Sequence, residues 1–232
     1  MVREPIKAIV WDLDGTLIHF KIDFIKARKE AIKVFHKYGV PNSLLSIEFK
    51  ALDNVQIAKE FFKSENFTES KIKKIMDEAN TVIAKVEYDA AVNATMVEGI
   101  NEVLEFSRKH HLKQAIFTYN TRENAEISLR KVNLLHYFDV IIGRDNIDNP
   151  KPHPDHLNLI CEKISVKASE IAVIGDMGRD IEAALNIGAH SILIYTKLSN
   201  YFESNIYKKA DVIIEPNEIP FRLIEVIKNL ME

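Results

Sequence analysis

One cysteine, Cys161, in 232 residues leaves nothing to pair with inside the chain. A disulfide framework and a thiolate zinc site are both excluded, and in "LNLICEKI" the lone thiol reads as a small apolar core residue. Glycine is scarce as well, with seven in the whole chain. The G-x-G-x-x-G spacing of dinucleotide sites is missing, as is the glycine-lysine loop that cradles nucleoside triphosphates. No apolar run approaches the roughly 18 residues of a membrane span. Asp12 and Asp14 cut the N-terminal apolar stretch before a signal-peptide core can form, so a cytoplasmic location is expected. Charge of one sign is lacking too: a net −3 exerts no pull toward nucleic acid or an anionic membrane, and neither is an expected partner. The lysine clusters "KIKK" (71–74) and "YKKAD" (207–211) read as solvated faces.

What is present is a rhythm. Short β-branched runs recur at 6–11 ("IKAIVW"), 114–118, 139–143, 171–175, 191–195 and 211–215. From the second run onward, helical patterns such as 101–111, 123–133, 180–188 and 219–230 accompany them. Continuous apolar strands alternating with helices predict a parallel sheet covered on both faces, an α/β, Rossmann-like, three-layer fold.

Between residues 19 and 95 the rhythm breaks. In "DFIKARKEAIKVFHKYG" the residues Phe24, Ala27, Ala31, Val34, Phe35 and Tyr38 share a helical stripe, with Asp23 placed to cap it. The stretch 68–87 repeats the device with Ile72, Ile75, Met76, Ala79, Val82, Ile83 and Val86 behind Thr68. Residues 43–62 read as one or two further helices. The expected organisation is a core of 1–18 and 96–232 with a small helical domain, 19–95, inserted after the first strand.

In open parallel sheets ligands bind beyond the carboxyl ends of the strands. Past the first run stand Asp12 and Asp14, and past the second Thr118 and Asn120. Lys151 follows the third in "NPKPHPD", and Asp176 and Asp180 follow the fourth in "GDMGRD". Carboxylates gathered on one edge repel and call for a cation. Hard oxygen donors without histidine or cysteine favour Mg²⁺, which binds through one or two carboxylates plus substrate phosphate. Lys151 and Thr118 are then donors for the oxygens of a transferring group, and prolines 150, 152 and 154 are expected to keep that loop extended rather than helical. One aspartate of the first pair can attack phosphorus as an ionised nucleophile. The other, two residues on, can protonate the leaving alkoxide and later take a proton from water. Gly15 lets the backbone turn sharply beside them.

With these residues in view, the chain resembles the haloacid dehalogenase-like hydrolases, specifically their phosphatase branch of phosphoglycolate-phosphatase type. "DLDGT" (12–16), Thr118, "KPHPD" (151–155) and "GDMGRD" (175–180) match the family's four motifs in order. The resemblance implies that Asp12 is the nucleophile and Asp14 the general acid/base. It implies a metal held by the Asp12 carboxylate, the Asp14 backbone carbonyl and Asp176. Thr118, Lys151 and, less securely, Asn120 would contact the phosphoryl group, with Asp180 orienting the metal shell or Lys151 and Gly15 and Gly175 supporting the loops. The inserted helices match the family's α-helical cap.

Tyr119 stands where many relatives have asparagine, and the crossing reads "DGTLIHFKID" where phosphoglycolate-type members often read "DGTLVDS", which leaves His19 and Lys21 either to meet an anionic substrate or to line a solvated hinge. His110, His111 and His136 read as structural, and His153 as a neighbour of the site. The expected activity is a Mg²⁺-dependent phosphomonoesterase acting on a small phosphorylated metabolite. A phosphotransferase or phosphomutase using the same aspartyl-phosphate is the alternative. A non-catalytic phosphate-binding member would be a different class, and a dehalogenase is disfavoured because that branch lacks an aspartate at the position of Asp14. Substrate identity and oligomeric state are not legible.

Overall fold

The computed structural model describes residues 4–49, 51–197, 199 and 205–232. The chain divides into two compact units, one running up to Lys21 and resuming at Ala91–Glu232, the other Ile22–Ala90.

The first unit is built on six parallel strands: β1 (Ala8–Trp11), β2 (Lys113–Phe117), β3 (Val140–Ile142), β4 (Ile171–Gly175), β5 (His190–Ile194) and β6 (Val212–Ile214). Their order is β3-β2-β1-β4-β5-β6. The winding therefore reverses between β1 and β4, which run side by side with Trp11 opposite Ile174. Every residue of β1 and β4 is buried, which is why these strands read as unbroken apolar runs. Side chains still alternate between faces. Ile9, Trp11, Ile116 and Ile174 join one cluster with Val103 and Leu104 of α4 (Ile100–Lys109), Ala125 and Leu129 of α5 (Arg122–Lys131), and Leu223 and Ile227 of α8 (Phe221–Leu230). Ala8, Val10, Phe117 and Val173 join a second with Leu157 and Ile160 of α6 (Pro154–Ile164) and Ala183 and Ala184 of α7 (Gly178–Ile187). Two apolar layers thus clamp the sheet, and side chains at its strand ends inherit that rigidity.

The expectation for the proline-rich loop is corrected here. Pro154 does not prevent a helix; it opens α6, with His153 as N-cap. Proline lacks an N–H, and the first helical position has no intrahelical use for one.

The second unit packs three helices, α1 (Phe24–Lys37), α2 (Ala51–Ser64) and α3 (Glu69–Ala91). Asp23 caps α1 by accepting from the Lys26 N–H at 2.8 Å, and Thr68 accepts from Lys71 N at 3.3 Å. Ala31, Phe35, Phe62, Ile72, Ile75 and Ala79 form its core, with Phe62 set edge-on to Phe35 and stacked on Phe67. Among the described residues of 43–62 one helix forms, starting at Ala51. The preceding segment is held in turns by Asn54, which donates to Ser46 O at 2.8 Å and accepts from Ser46 N at 3.1 Å. The two chain crossings belong to the sheet unit and bond to each other: Ile18 bridges Met96, His19 N donates to Thr95 O, and Lys21 Nζ reaches Asn93 O at 3.0 Å.

One polar link spans the apolar layer beneath β1. The Trp11 indole N–H donates to Gln114 Oε1 at 3.2 Å, and Gln114 Nε2 donates to Leu104 O, all three residues being buried. Gln114→Leu strands a buried donor and a buried acceptor, so urea denaturation is expected to show a loss of about 1–3 kcal/mol. An unchanged midpoint would show that the link contributes nothing.

Candidate active site

The end of β1 shows how the chain places charge at a sheet edge. Asp12 N still donates to Ile174 O at 2.8 Å, so the strand's register carries through this residue. Beyond it, the N–H groups of Thr16, Leu17 and Ile18 all turn back to Leu13 O. Gly15 makes that turn at φ +97, a left-handed value suited to glycine, and a Cβ there would lie 2.2 Å from Asp176 Oδ2. The glycine is needed twice, for the turn and for backbone contact with the neighbouring carboxylate.

Beside it, β4 delivers Asp176, wholly buried. A Cβ on Gly175 would lie 2.5 Å from the side chain of Asp180, so the strand end and the first turn of α7 touch only because residue 175 has none. Asp180 Oδ2 accepts from Met177 N at 3.0 Å, while its Oδ1 lies 2.7 Å from Lys151 Nζ. Lys151, 1% exposed, also donates to Asp12 Oδ1 and, at 3.1 Å, to Phe117 O, and its ammonium sits 4.1 Å from the centre of the Phe117 ring. One carboxylate oxygen each from Asp12, Asp176 and Asp180 lies within 4.8 Å of the others.

On the β2 side, Thr118 is buried and its Oγ1 accepts from Asn120 N at 3.0 Å. Asn120 Oδ1 accepts from Thr121 N, and Asn120 Nδ2 donates to Asp14 Oδ2 at 3.3 Å. Asn120 therefore addresses the half-buried Asp14. Asp12, Asp14, Gly15, Thr118, Asn120, Lys151, Gly175, Asp176 and Asp180 form one connected set at the point where the winding reverses.

The charges there are not at ease. Burial pushes the Asp12 carboxyl up, Lys151 opposes this, and Asp180 adds to it. Asp176 is driven well above the usual carboxylate range by burial first and by the charges of Asp12 and Asp180 after it. For Lys151, burial alone would lower the ammonium's pKa, but Asp12 and Asp180 together raise it. Asp176 Oδ1 is buried with no hydrogen-bond partner among the described residues. A buried oxygen without a donor, in a cluster of oxygen ligands too negative for its surroundings, fits a hard divalent cation such as Mg²⁺.

His153 turns away to cap α6, where it pairs with Asp155. His110 ends α4 and His136 lies in a short turn beside Tyr137. Several contributors were not singled out from the sequence. Thr16, inside the quoted "DLDGT", donates to Asp12 Oδ2 at 3.4 Å. Arg179 lies against the Tyr119 ring at 4.9 Å and lowers the pKa of both Asp12 and Asp176. Thr196 and Ser199 reach Asp176 from beyond β5. Reading past the fifth apolar run, as was done for the first four, leads directly to Thr196. His156 is fully buried; its Nδ1 accepts from Lys151 N at 3.2 Å and its Nε2 donates to Ile142 O at 3.0 Å.

Comparison with known proteins places the chain in a family. The profile of the haloacid dehalogenase-like hydrolase family matches residues 9–194. A phosphorylated carbohydrates phosphatase of Thermotoga maritima is 24% identical over 95% of this chain and 100% of its own. A phosphoglycolate phosphatase of Nitrosospira multiformis is 26% identical over 80% of this chain and 82% of its own. Among solved structures, a β-phosphoglucomutase of Clostridium difficile superposes with a TM-score of 0.67 at 21% identity, covering 97% of each chain, a likeness of fold.

His156 makes the site's frame sensitive to acid. Burial first, and Lys151's charge after it, lower its pKa from the ordinary 6.5 to about 4, against the opposing pull of the Ile142 carbonyl. The folded state holds the ring neutral where the unfolded chain already binds a proton. Its contribution is therefore whole above pH 6.5 and drains as the pH falls toward 4, by about 3 kcal/mol in all. Denaturation curves of the wild type and His156→Asn between pH 4 and 7.5 should converge by that amount on the acid side; parallel curves would contradict it.

Proposed function

The chain belongs to the haloacid dehalogenase-like hydrolase family, and from that premise we propose that it is a Mg²⁺-dependent phosphomonoesterase working through an aspartyl-phosphate on Asp12. The observation that carries the reading is the buried Lys151 ammonium shared between Asp12 and Asp180, with Asp176 alongside. Lys151 opposes the burial that raises the Asp12 carboxyl and sets an ammonium beside the proposed attacking group.

Asp12, Asp176 and the Asp14 backbone carbonyl would hold the ion. When bound, Mg²⁺ supplies positive charge to the phosphoryl oxygens and to the attacking carboxylate. Asp12 attacks phosphorus, the P–O bond to the substrate breaks, and Asp14, steadied by Asn120 Nδ2, donates its proton to the departing alkoxide. Asp14, now ionised, takes a proton from water; the hydroxide attacks the aspartyl-phosphate, freeing phosphate and restoring Asp12. Lys151 and Thr118 bind the phosphoryl oxygens throughout, and Asp180 keeps Lys151 in place. The helical insertion is proposed as the counterpart of the family's cap. A small phosphorylated metabolite is the substrate class, in keeping with the phosphatases named among the relatives.

Turnover of p-nitrophenyl phosphate should require Mg²⁺, vanish with EDTA, and fall by roughly 10³-fold or more in Asp12→Asn. Release of sugar-phosphate isomers without free phosphate would instead assign a mutase. Asp14→Asn should cost an alkyl phosphate about 10²–10⁴-fold and p-nitrophenyl phosphate much less, because nitrophenolate leaves without a proton. Equal losses on both substrates would remove Asp14 from the acid role. Because the carboxyls of Asp12 and Asp176 are raised in the metal-free protein, Mg²⁺ binding should release protons and tighten as the pH rises through the mildly acid range. Calorimetry in two buffers of different ionisation enthalpy reads that release directly.

A further inference from the structure

Asp176 is held by more than its place on the strand. Its Oδ2 accepts from the Thr196 hydroxyl at 3.3 Å and lies against the backbone of Gly15. Ser199 Oγ donates to the main-chain oxygen of Asp176. The same Ser199 oxygen accepts from Thr196 N at 3.0 Å, and Ser199 N closes the turn onto Thr196 O. Two hydroxyls from the segment after β5 therefore fix both the backbone and one carboxylate oxygen of this aspartate. The other oxygen, Oδ1, is buried with no hydrogen-bond partner among the described residues.

We propose that Thr196, braced by Ser199, screens Oδ2 of Asp176 so that the carboxylate offers a divalent cation Oδ1 alone, and that this one-oxygen presentation selects Mg²⁺ over Ca²⁺. The inference rests on the metal-dependent reading above and extends it to the choice of ion. Its physical basis is the difference between the two cations. Mg²⁺ demands near-octahedral geometry and takes one oxygen from a carboxylate, whereas Ca²⁺ accepts six to eight ligands at longer distances and readily takes both. A carboxylate free to swing and offer both oxygens favours Ca²⁺; one with an oxygen already committed to a hydroxyl and pressed against a glycine does not. Outer-shell hydrogen bonds of this kind typically govern about 10–100-fold in metal affinity. Thr196 and Ser199 are positioning residues: neither needs to touch the ion or the substrate.

Calorimetric titration of the full-length, substrate-free protein with MgCl₂ and with CaCl₂ tests this, with metal-free melting temperatures as a control. The ratio of Ca²⁺ to Mg²⁺ dissociation constants should fall by about tenfold or more in Thr196→Val, which keeps the side chain's shape and removes its hydroxyl. Thr196→Ser should restore the ratio. Ser199→Ala, which loosens the brace, should lower it too, and that variant decides the matter if Thr196→Val does not fold. A purely structural role for these hydroxyls would lower the melting temperature and weaken both cations alike, leaving the ratio unchanged; that result overturns the proposal while leaving the phosphatase reading intact. A wild-type protein that binds neither cation overturns both.

Discussion

Three carboxylates and one ammonium lie buried together at the ends of β1 and β4. Fully ionised, Asp12, Asp176 and Asp180 outnumber the Lys151 ammonium in a place where an uncompensated charge costs several kcal/mol, and the half-buried Arg179 offsets only part of the difference. Lys151 cannot balance this alone, and it is already shared between two of the three. The remainder must be met by protons, as the raised carboxyls of Asp12 and Asp176 indicate, or by an added divalent cation. The rest of the site follows from that constraint. A buried cluster short of positive charge fits a divalent cation, and on that fit the proposed phosphatase mechanism rests.

Such crowding of like charge opposes folding, so something must hold it. The two apolar clusters on either face of the sheet do so, because β1 and β4 are buried at every position and cannot shift without opening both layers. Glycines admit the close approaches: Gly15 lies against the carboxylate of Asp176 and Gly175 against Asp180. The imidazole of His156 joins the Lys151 backbone to β3 through Ile142, tying the lysine's main chain to the sheet its side chain serves.

Most of this was legible in the sequence because it obeys simple periodicities. Unbroken apolar runs marked the central strands, and reading the segment that ends or follows each gave Asp12, Asp14, Thr118, Lys151, Asp176 and Asp180. Boundaries shifted by a residue or two, as at β1 and β5. The misreading of Pro154 has a local cause: proline forbids the interior of a helix but suits its first position, and the composition of "KPHPD" does not distinguish them. Thr16 and Arg179 lie within motifs whose acidic members are the more reactive, and His156 lies one residue past "KPHPD". Ser199 follows no periodic signal at all, since its role comes from a turn that only the folded chain defines.

Asn120 has protein partners that its position in the sequence does not reveal. Its place past the second run suggested a contact with phosphate, yet its amide is directed to Asp14 Oδ2 while its own carbonyl accepts from Thr121 N. An asparagine so placed can donate to a carboxylate but supplies no proton that the carboxylate could pass on. Through that bond the turn after β2 is tied to the loop after β1, where Gly15 lies against the carboxylate of Asp176.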